Sequence, residues 1–342
     1  MSERPLLAVT MGDPAGIGPE IAVRALLSPE VRACSRSFLI GDARMFEQAL
    51  SVCGLYATLN QIPGPEAIAD RDGFIDLMHQ ESADPAVVKF GKVQALGGEA
   101  AYAAIRSSIE LAMAGRIAGV ATTPINKESL KAAEIPFIGH TEMFAEHTGA
   151  REEMTMFTIS GLKIFFLTRH VSLMEACRLV TRERTLKGIE RSVKALQQLG
   201  IAEPHLAVAA LNPHGGEDGL FGREEIEGVK PAIEAARAQG MRVSGPVPAD
   251  SVFHMARLGR YDAVLSLYHD QGHIAAKMLD FEKTVSVTLG LPILRTSVDH
   301  GTAFDIAGTG QASAVSMIEA IKVAAEYAVR GVRLDGEVPQ AA

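Results

Sequence analysis

Leu162-Lys163-Ile164-Phe165-Phe166-Leu167-Thr168-Arg169-His170, Leu206-Ala207-Val208-Ala209-Ala210-Leu211-Asn212-Pro213-His214 and Ala263-Val264-Leu265-Ser266-Leu267-Tyr268-His269 share one pattern, a short apolar run that ends in a histidine. Continuous apolar runs of this length, separated by amphipathic stretches, read as buried strands of a mostly parallel sheet. In an open α/β sheet, ligands bind in the crevice beyond the carboxyl ends of the strands. Three imidazoles set just past three strand ends can therefore converge on one point, and such a point suggests a divalent metal. A single histidine at a strand end is more often a hydrogen-bonded structural residue. Three equivalent ones, in His214-Gly215-Gly216-Glu217, in His269-Asp270-Gln271-Gly272 and at His170, favour the ion. Three neutral imidazoles leave positions open for substrate oxygens, which marks a catalytic site. Asp270 places a carboxylate beside its histidine, as an orienting partner or a general base.

Outward from these strands the alternation continues. Residues 6–10 read as a strand, followed by the glycine-rich turn 12–19 and a helix from about 20. Strands are expected at 38–40, 117–122 and 284–288, and helices at 94–115, 126–133, 182–199, 223–239 and 312–330. Alternating strands and helices throughout mean an α/β protein. At 342 residues the chain is long enough for two domains or one large one.

A net charge of -8 argues against nucleic acid or an anionic membrane as partner, while leaving room for a small anionic substrate held by local basic groups. Cys34, Cys53 and Cys177 form no CxxC pair, as expected of reduced thiols in a cytoplasmic protein. No run approaches the ~18 apolar residues of a membrane span, and the start of the chain has too short an apolar run for a signal peptide.

The turn Gly12-Asp13-Pro14-Ala15-Gly16-Ile17-Gly18-Pro19 invites a dinucleotide reading. It fails the fingerprint, since Ile21 stands at the third glycine position and no acidic residue closes a second strand at the usual distance. An anion on the helix start and a plain tight turn, with Pro19 at the first helical position, both remain open. Gly139-His140-Thr141-Glu142 is either a helix start capped by Thr141 or an anion site built from hydroxyl, imidazole and helix N-terminus. Lys277 and Arg295 are cations in apolar surroundings, satisfied by an internal carboxylate or by a substrate anion. Residues 299–310 are the densest turn-and-polar segment, and a loop of that length is usually functional.

Assembled, these residues resemble the 4-hydroxythreonine-4-phosphate dehydrogenase family of pyridoxal phosphate biosynthesis. The match covers MGDPAGIGPE (11–20), GHTE (139–142), LNPHGGE (211–217), GPVPAD (245–250), YHDQG (268–272) and GLPILRTSVDHGTAFDIAGTG (290–310), with His170 after its strand. The last block is also similar to the loop that holds the adenosine part of NAD in isocitrate and isopropylmalate dehydrogenases. The resemblance implies two α/β/α domains of that type, the first spanning 1–138 and 300–342 and the second 139–299. The second would carry the metal ligands and the dimer interface, with the active site in the cleft there.

By matching position, the resemblance implies that His170, His214 and His269 bind a divalent ion, zinc first, with cobalt, nickel, manganese or magnesium as alternatives. His269 would come from the partner subunit of a homodimer with shared active sites. His140, Thr141, Lys277, Ser286 and Arg295 would contact the substrate, Lys277 and Arg295 from the partner chain. Asp299, His300, Gly301, Asp305 and Gly308 would hold NAD. Ser286 departs from the family pattern, which has an asparagine nine residues before the arginine.

The chemistry implied is NAD-dependent oxidation of a secondary alcohol β to a carboxylate, followed by loss of CO2, on a small phosphorylated hydroxy acid. Asp250 and Asp270 are candidates for accepting the alcohol proton, and Lys277 completes the catalytic set. The expected substrate is 4-phosphohydroxy-L-threonine. The alternatives are 4-phospho-D-threonate or 4-phospho-D-erythronate in sugar-acid catabolism, a cis-dihydrodiol as for terephthalate, a metal-dependent hydrolase, or a catalytically silent metabolite binder. His273 in YHDQGHI, and GLFGREE (219–225), look more like the sugar-acid branch.

Overall fold

The computed structural model describes residues 4–330. The remaining residues of the expected first domain, 1–3 and 331–342, lie outside that range. Among the described residues the strands are β1 Leu6–Thr10, β2 Arg36–Gly41, β3 Thr58–Gln61, β4 Phe74–His79, β5 Gly119–Thr122 and β6 Met154–Ile159. They continue as β7 Leu162–Phe166, β8 Leu206–Ala209, β9 Val243–Val247, β10 Ala263–Ser266, β11 Val285–Leu289 and β12 Arg295–Val298.

The chain divides into two compact units. One runs through Glu153 and resumes at Gly290; the other is Met154–Leu289. The expected boundaries are therefore displaced: residues 139–153 and 290–299 belong to the first unit. The reason is packing. Phe144, on the helix His140–Thr148, and Leu291 and Ile293 sit in the same core as Phe38, Ile105 and Val120.

In the first unit the strand order is β3-β4-β2-β1-β5-β12, and every neighbouring pair is parallel. Strands buried along nearly their whole length, such as β1 and β5, account for the continuous apolar runs in the sequence. The helix Ala95–Met113 lays alanines 100, 101 and 104 against this core, and small side chains let it approach closely.

In the second unit the order is β11-β6-β7-β10-β8-β9. Strands β7, β10, β8 and β9 are parallel, whereas β11–β6 and β6–β7 are antiparallel. The expectation of a mostly parallel sheet omitted β6. A two-residue turn joins it to β7, with Ser160 at φ 47 and Gly161 at φ 83. Two left-handed residues match the twist of a tight hairpin, which only an antiparallel pair can use. The core here gathers Phe157, Ile164, Phe166, Ala207 and Val264 under Val252 and Ala276. No helix among the described residues is long and apolar enough to cross a membrane.

Candidate active site

The candidate residues fall into two groups, one in each unit. In the second unit, the parallel run β7-β10-β8-β9 brings four carboxyl ends to one edge, with strands about 4.8 Å apart. His170 follows β7, His269 and Asp270 follow β10, His214 follows β8 and Asp250 follows β9. The sequence expectation of three histidines at equivalent strand ends thus holds, and the three strands are immediate neighbours.

The imidazoles of His170 and His269 lie with ring centres 5.9 Å apart. Zinc–nitrogen bonds of about 2.1 Å put two rings on a shared ion roughly 5–6 Å apart, a spacing this pair has within one chain, where the resemblance draws His269 from the partner subunit. His269 opens the helix His269–Leu279. Its Nδ1 is 2.6 Å from Asp270 Oδ1, which leaves Nε2 as the ligand nitrogen. His214 is not joined to this pair. Among the described residues no group of three or more histidine, cysteine, aspartate or glutamate side chains is set to hold a metal. Donor chemistry and two imidazoles fit the ion; the third ligand does not close the set within one chain.

The local backbone around His214 is unusual. His214, Gly215, Gly216, Glu217 and Asp218 all have positive φ, between 44° and 84°. Side chains other than glycine resist that conformation by about 1–2 kcal/mol each, and such strain collects at functional sites. A buried carboxylate holds the turn. Glu225, fully buried, accepts the N–H of Leu211 at 2.8 Å and of Asn212 at 2.7 Å on one oxygen, and the Asn212 side-chain amide at 2.8 Å on the other. Glu225 opens a π-helical turn, Glu225–Val229, where a regular helix over 223–239 is expected from sequence. The extra residue in that turn accommodates the carboxylate's inward reach.

Gln271 ties the two neighbouring ends together. Its amide oxygen accepts the N–H of Leu267 and its amide nitrogen donates to the Ala210 carbonyl, both at 2.7 Å. Neither Glu225 nor Gln271 is apparent from sequence as more than a polar residue near a motif. Lys277 lies two turns beyond His269 on the same helix, its ammonium 5.1 Å from the Phe281 ring centre. Ser286 sits on β11 directly opposite Phe157 of β6.

In the first unit, Arg295 begins β12 and is 4 % exposed. It donates to Thr122 Oγ1 at 2.9 Å, and its guanidinium lies 5.3 Å from the centre of the Phe144 ring. Phe144 is one turn along the helix that starts at His140, so Arg295 and His140 come together within one chain, where the resemblance draws Arg295 from the partner. Burial, and then the neighbouring Arg295, holds the His140 imidazole well below its usual range, so it is neutral. His140 Nε2 is buried with no hydrogen-bond partner among the described residues. Of the two readings of this stretch, the cap at Thr141 does not hold: Gly139 takes the cap position, and Glu142 accepts the Ile138 N–H at 2.6 Å. A neutral imidazole with an unsatisfied nitrogen, a hydroxyl and a guanidinium form a site that can bind an anionic oxygen group.

The loop carrying Asp299, His300, Gly301, Asp305 and Gly308 packs on the glycine-rich turn 12–19. Ile17 donates its N–H to the Thr302 carbonyl at 3.0 Å, and a Cβ at Gly16 would meet Thr302 at 2.8 Å. Glu20, buried on the first helix, accepts the N–H groups of Gly308 at 2.6 Å and Gly310 at 2.9 Å. Arg24 donates to the Gly310 carbonyl at 2.7 Å. The two motifs that sequence places at opposite ends of the chain form one structure. His300, Asp305 and Gly301 are at its accessible side, with Gly301 and Asp305 exposed.

Residues 33–324 match the model of the family described as pyridoxal phosphate biosynthetic protein PdxA. The chain belongs to that family and is an oxidoreductase, which decides against the hydrolase and silent-binder readings. A protein of Symbiobacterium thermophilum named "Putative D-threonate 4-phosphate dehydrogenase" is 58% identical over 96% of this chain and 98% of its own length. A protein of the same name from Clostridium botulinum (strain Langeland) is 53% identical over 96% of this chain and 98% of its own. Among solved structures, the 4-hydroxythreonine-4-phosphate dehydrogenase of Klebsiella pneumoniae superposes with TM-score 0.87 at 40% identity, covering 95% of this chain and 99% of that one.

Proposed function

We propose that this chain is an NAD- and divalent-metal-dependent dehydrogenase of D-threonate 4-phosphate, or of its epimer D-erythronate 4-phosphate. The observation that carries this reading is the 58% identity, over nearly the whole of both chains, to a relative so named, against 40% to the 4-hydroxythreonine-4-phosphate enzyme. Ser286 and His273 support it, since both depart from the biosynthetic pattern. The substrate first expected from sequence, 4-phosphohydroxy-L-threonine, becomes the second reading.

On this reading Arg295, His140 and Thr141, with Lys277 supplied by the partner chain, hold the phosphate and carboxylate. Asp270, engaged with His269 Nδ1, orients that ring. Asp250 is then the group that accepts the proton of the C3 hydroxyl as hydride leaves C3. The 3-keto acid so formed loses CO2 because the new carbonyl accepts the electrons of the breaking bond. NAD, held at Asp299, His300, Gly301, Asp305 and Gly308, supplies the hydride acceptor. A divalent ion at His170, His214 and His269, zinc first among those that suit imidazole, would supply Lewis acidity to substrate oxygens.

A homodimer completes the imidazole set. Exposed Ile274, Met278 and Phe281, on or just after the helix that carries His269, support a protein contact there.

The deciding experiment is NADH formation by metal-reconstituted protein with D-threonate 4-phosphate, D-erythronate 4-phosphate and 4-phosphohydroxy-L-threonine in parallel. Preference for either sugar acid is expected. Turnover of the amino acid alone would move the chain to vitamin B6 synthesis, and silence on all three would send the search to unphosphorylated diols.

A further inference from the structure

His273, to which the chemistry above gives no role, is packed face to face on His269. Their ring centres are 3.6 Å apart and the planes differ by 11°. One helical turn separates them, and His273 Nδ1 lies 2.8 Å from the His269 carbonyl, so that nitrogen donates. Two strands fix the His273 ring from the other sides. Phe157 of β6 meets it edge-on at 4.5 Å, and Phe166, the last residue of β7, lies against it at 4.4 Å. Phe157 and Phe166 themselves pack edge to face at 5.1 Å.

The helix is seated too closely to shift. A Cβ at Gly272 would fall 2.6 Å from the Phe166 ring and 2.7 Å from Ser266 Oγ. The aromatic cage therefore has no slack, and the plane of His273 is set by the sheet. Asp270 fixes only one edge of the His269 ring, through Nδ1. A hydrogen bond at one edge leaves rotation about that bond open. A rigid ring stacked on the face removes it.

We propose that His273 is a positioning residue. Its stacked ring locks the plane of His269 and so fixes the direction in which Nε2 is presented to the metal of the shared site. The cage reaches the substrate side as well. Ser286 stands opposite Phe157 in the β11–β6 register, on the same face of the sheet. Ser286 and His273, two departures from the biosynthetic pattern, thus share Phe157 as a neighbour, one across the strand pair and one against its ring. The inference rests on the proposed role of His269 as a metal ligand.

The test uses two variants that delete opposite halves of the interaction. His273→Gln keeps a donor for the His269 carbonyl and loses the ring; His273→Phe keeps the ring and loses the donor. Cobalt(II) affinity of each purified full-length variant is read by competition with a chromogenic chelator, with thermal melting as the check on folding. His273→Gln is expected to bind cobalt about 10–100-fold more weakly. His273→Phe should stay within about threefold of the parent, because stacking and not the hydrogen bond sets the plane. KM for NAD should not change in either. Parent-like cobalt affinity in His273→Gln, or equal loss in both variants, overturns the role of the stack. His269→Ala serves as reference: if it binds cobalt as tightly as the parent, the metal reading itself fails and this inference falls with it. Loss in His269→Ala with none in His273→Gln defeats the inference alone.

Discussion

Glu20 accepts the backbone N–H of Gly308 at 2.6 Å through one carboxylate oxygen, across nearly the whole length of the chain, and its other oxygen takes Gly310. The first helix thereby grips the loop that carries the proposed NAD residues. Glu20→Gln leaves one of those N–H groups facing an amide N–H. Leaving a buried donor unpaired costs about 1–3 kcal/mol. We expect a lower melting temperature and a KM for NAD raised about tenfold, with KM for the phosphorylated acid unchanged. Equal change in both KM values would show that the loop does not serve the cofactor.

His140 gives a pH dependence of definite sign. Burial and Arg295 hold its folded pKa well below the usual imidazole value of 6.5. As pH falls through that value the unfolded chain takes up a proton that the folded chain refuses, so stability present above it is lost as pH drops towards the lowered value. Urea unfolding at pH 7.5 and 5.5 should show a larger loss in the parent than in His140→Gln. Parallel losses in the two proteins would mean that His140 titrates normally.

Ser286→Asn restores the family residue. An amide can reach a polar group that a serine hydroxyl cannot, and one hydrogen bond to substrate is worth about 1 kcal/mol or more. The ratio of kcat/KM for 4-phosphohydroxy-L-threonine over D-threonate 4-phosphate should rise about tenfold. An unchanged ratio would remove Ser286 from the specificity of this enzyme.

Glu225 is expected to act on His214 through the backbone. With its three N–H partners on Leu211 and Asn212, Glu225→Gln loses one acceptor site in a buried place. Melting temperature should drop and cobalt affinity should fall about 10–100-fold. A variant that melts lower yet binds cobalt as before would confine Glu225 to stability.

Much of this was legible in the chain itself. The runs before His170, His214 and His269 are mostly apolar because their strands are buried along nearly their whole length, and that pattern survives translation into sequence. The strand at 6–10 is found where expected for the same reason. The hairpin strand β6 is not legible in the sequence, since Met154-Thr155-Met156-Phe157-Thr158-Ile159 mixes threonine with apolar residues and the turn that follows is a bare Ser160-Gly161. A cap at Thr141, one of two readings open from sequence because hydroxyls favour that place, is displaced by Gly139, which adopts the extended conformation the position needs.

Sequence alone determined the α/β class, the placement of three imidazoles just past three strand ends, and the family blocks, because each depends on neighbours along the chain. The tertiary structure decided the rest. It made β7, β10 and β8 adjacent, joined Glu20 to Gly308, brought His140 to Arg295, and closed Phe157 and Phe166 around His273. It also moved the domain boundary to Glu153 and Gly290. These relations are contacts between residues far apart in the chain. They are set by strand order and side-chain packing, which no local periodicity records.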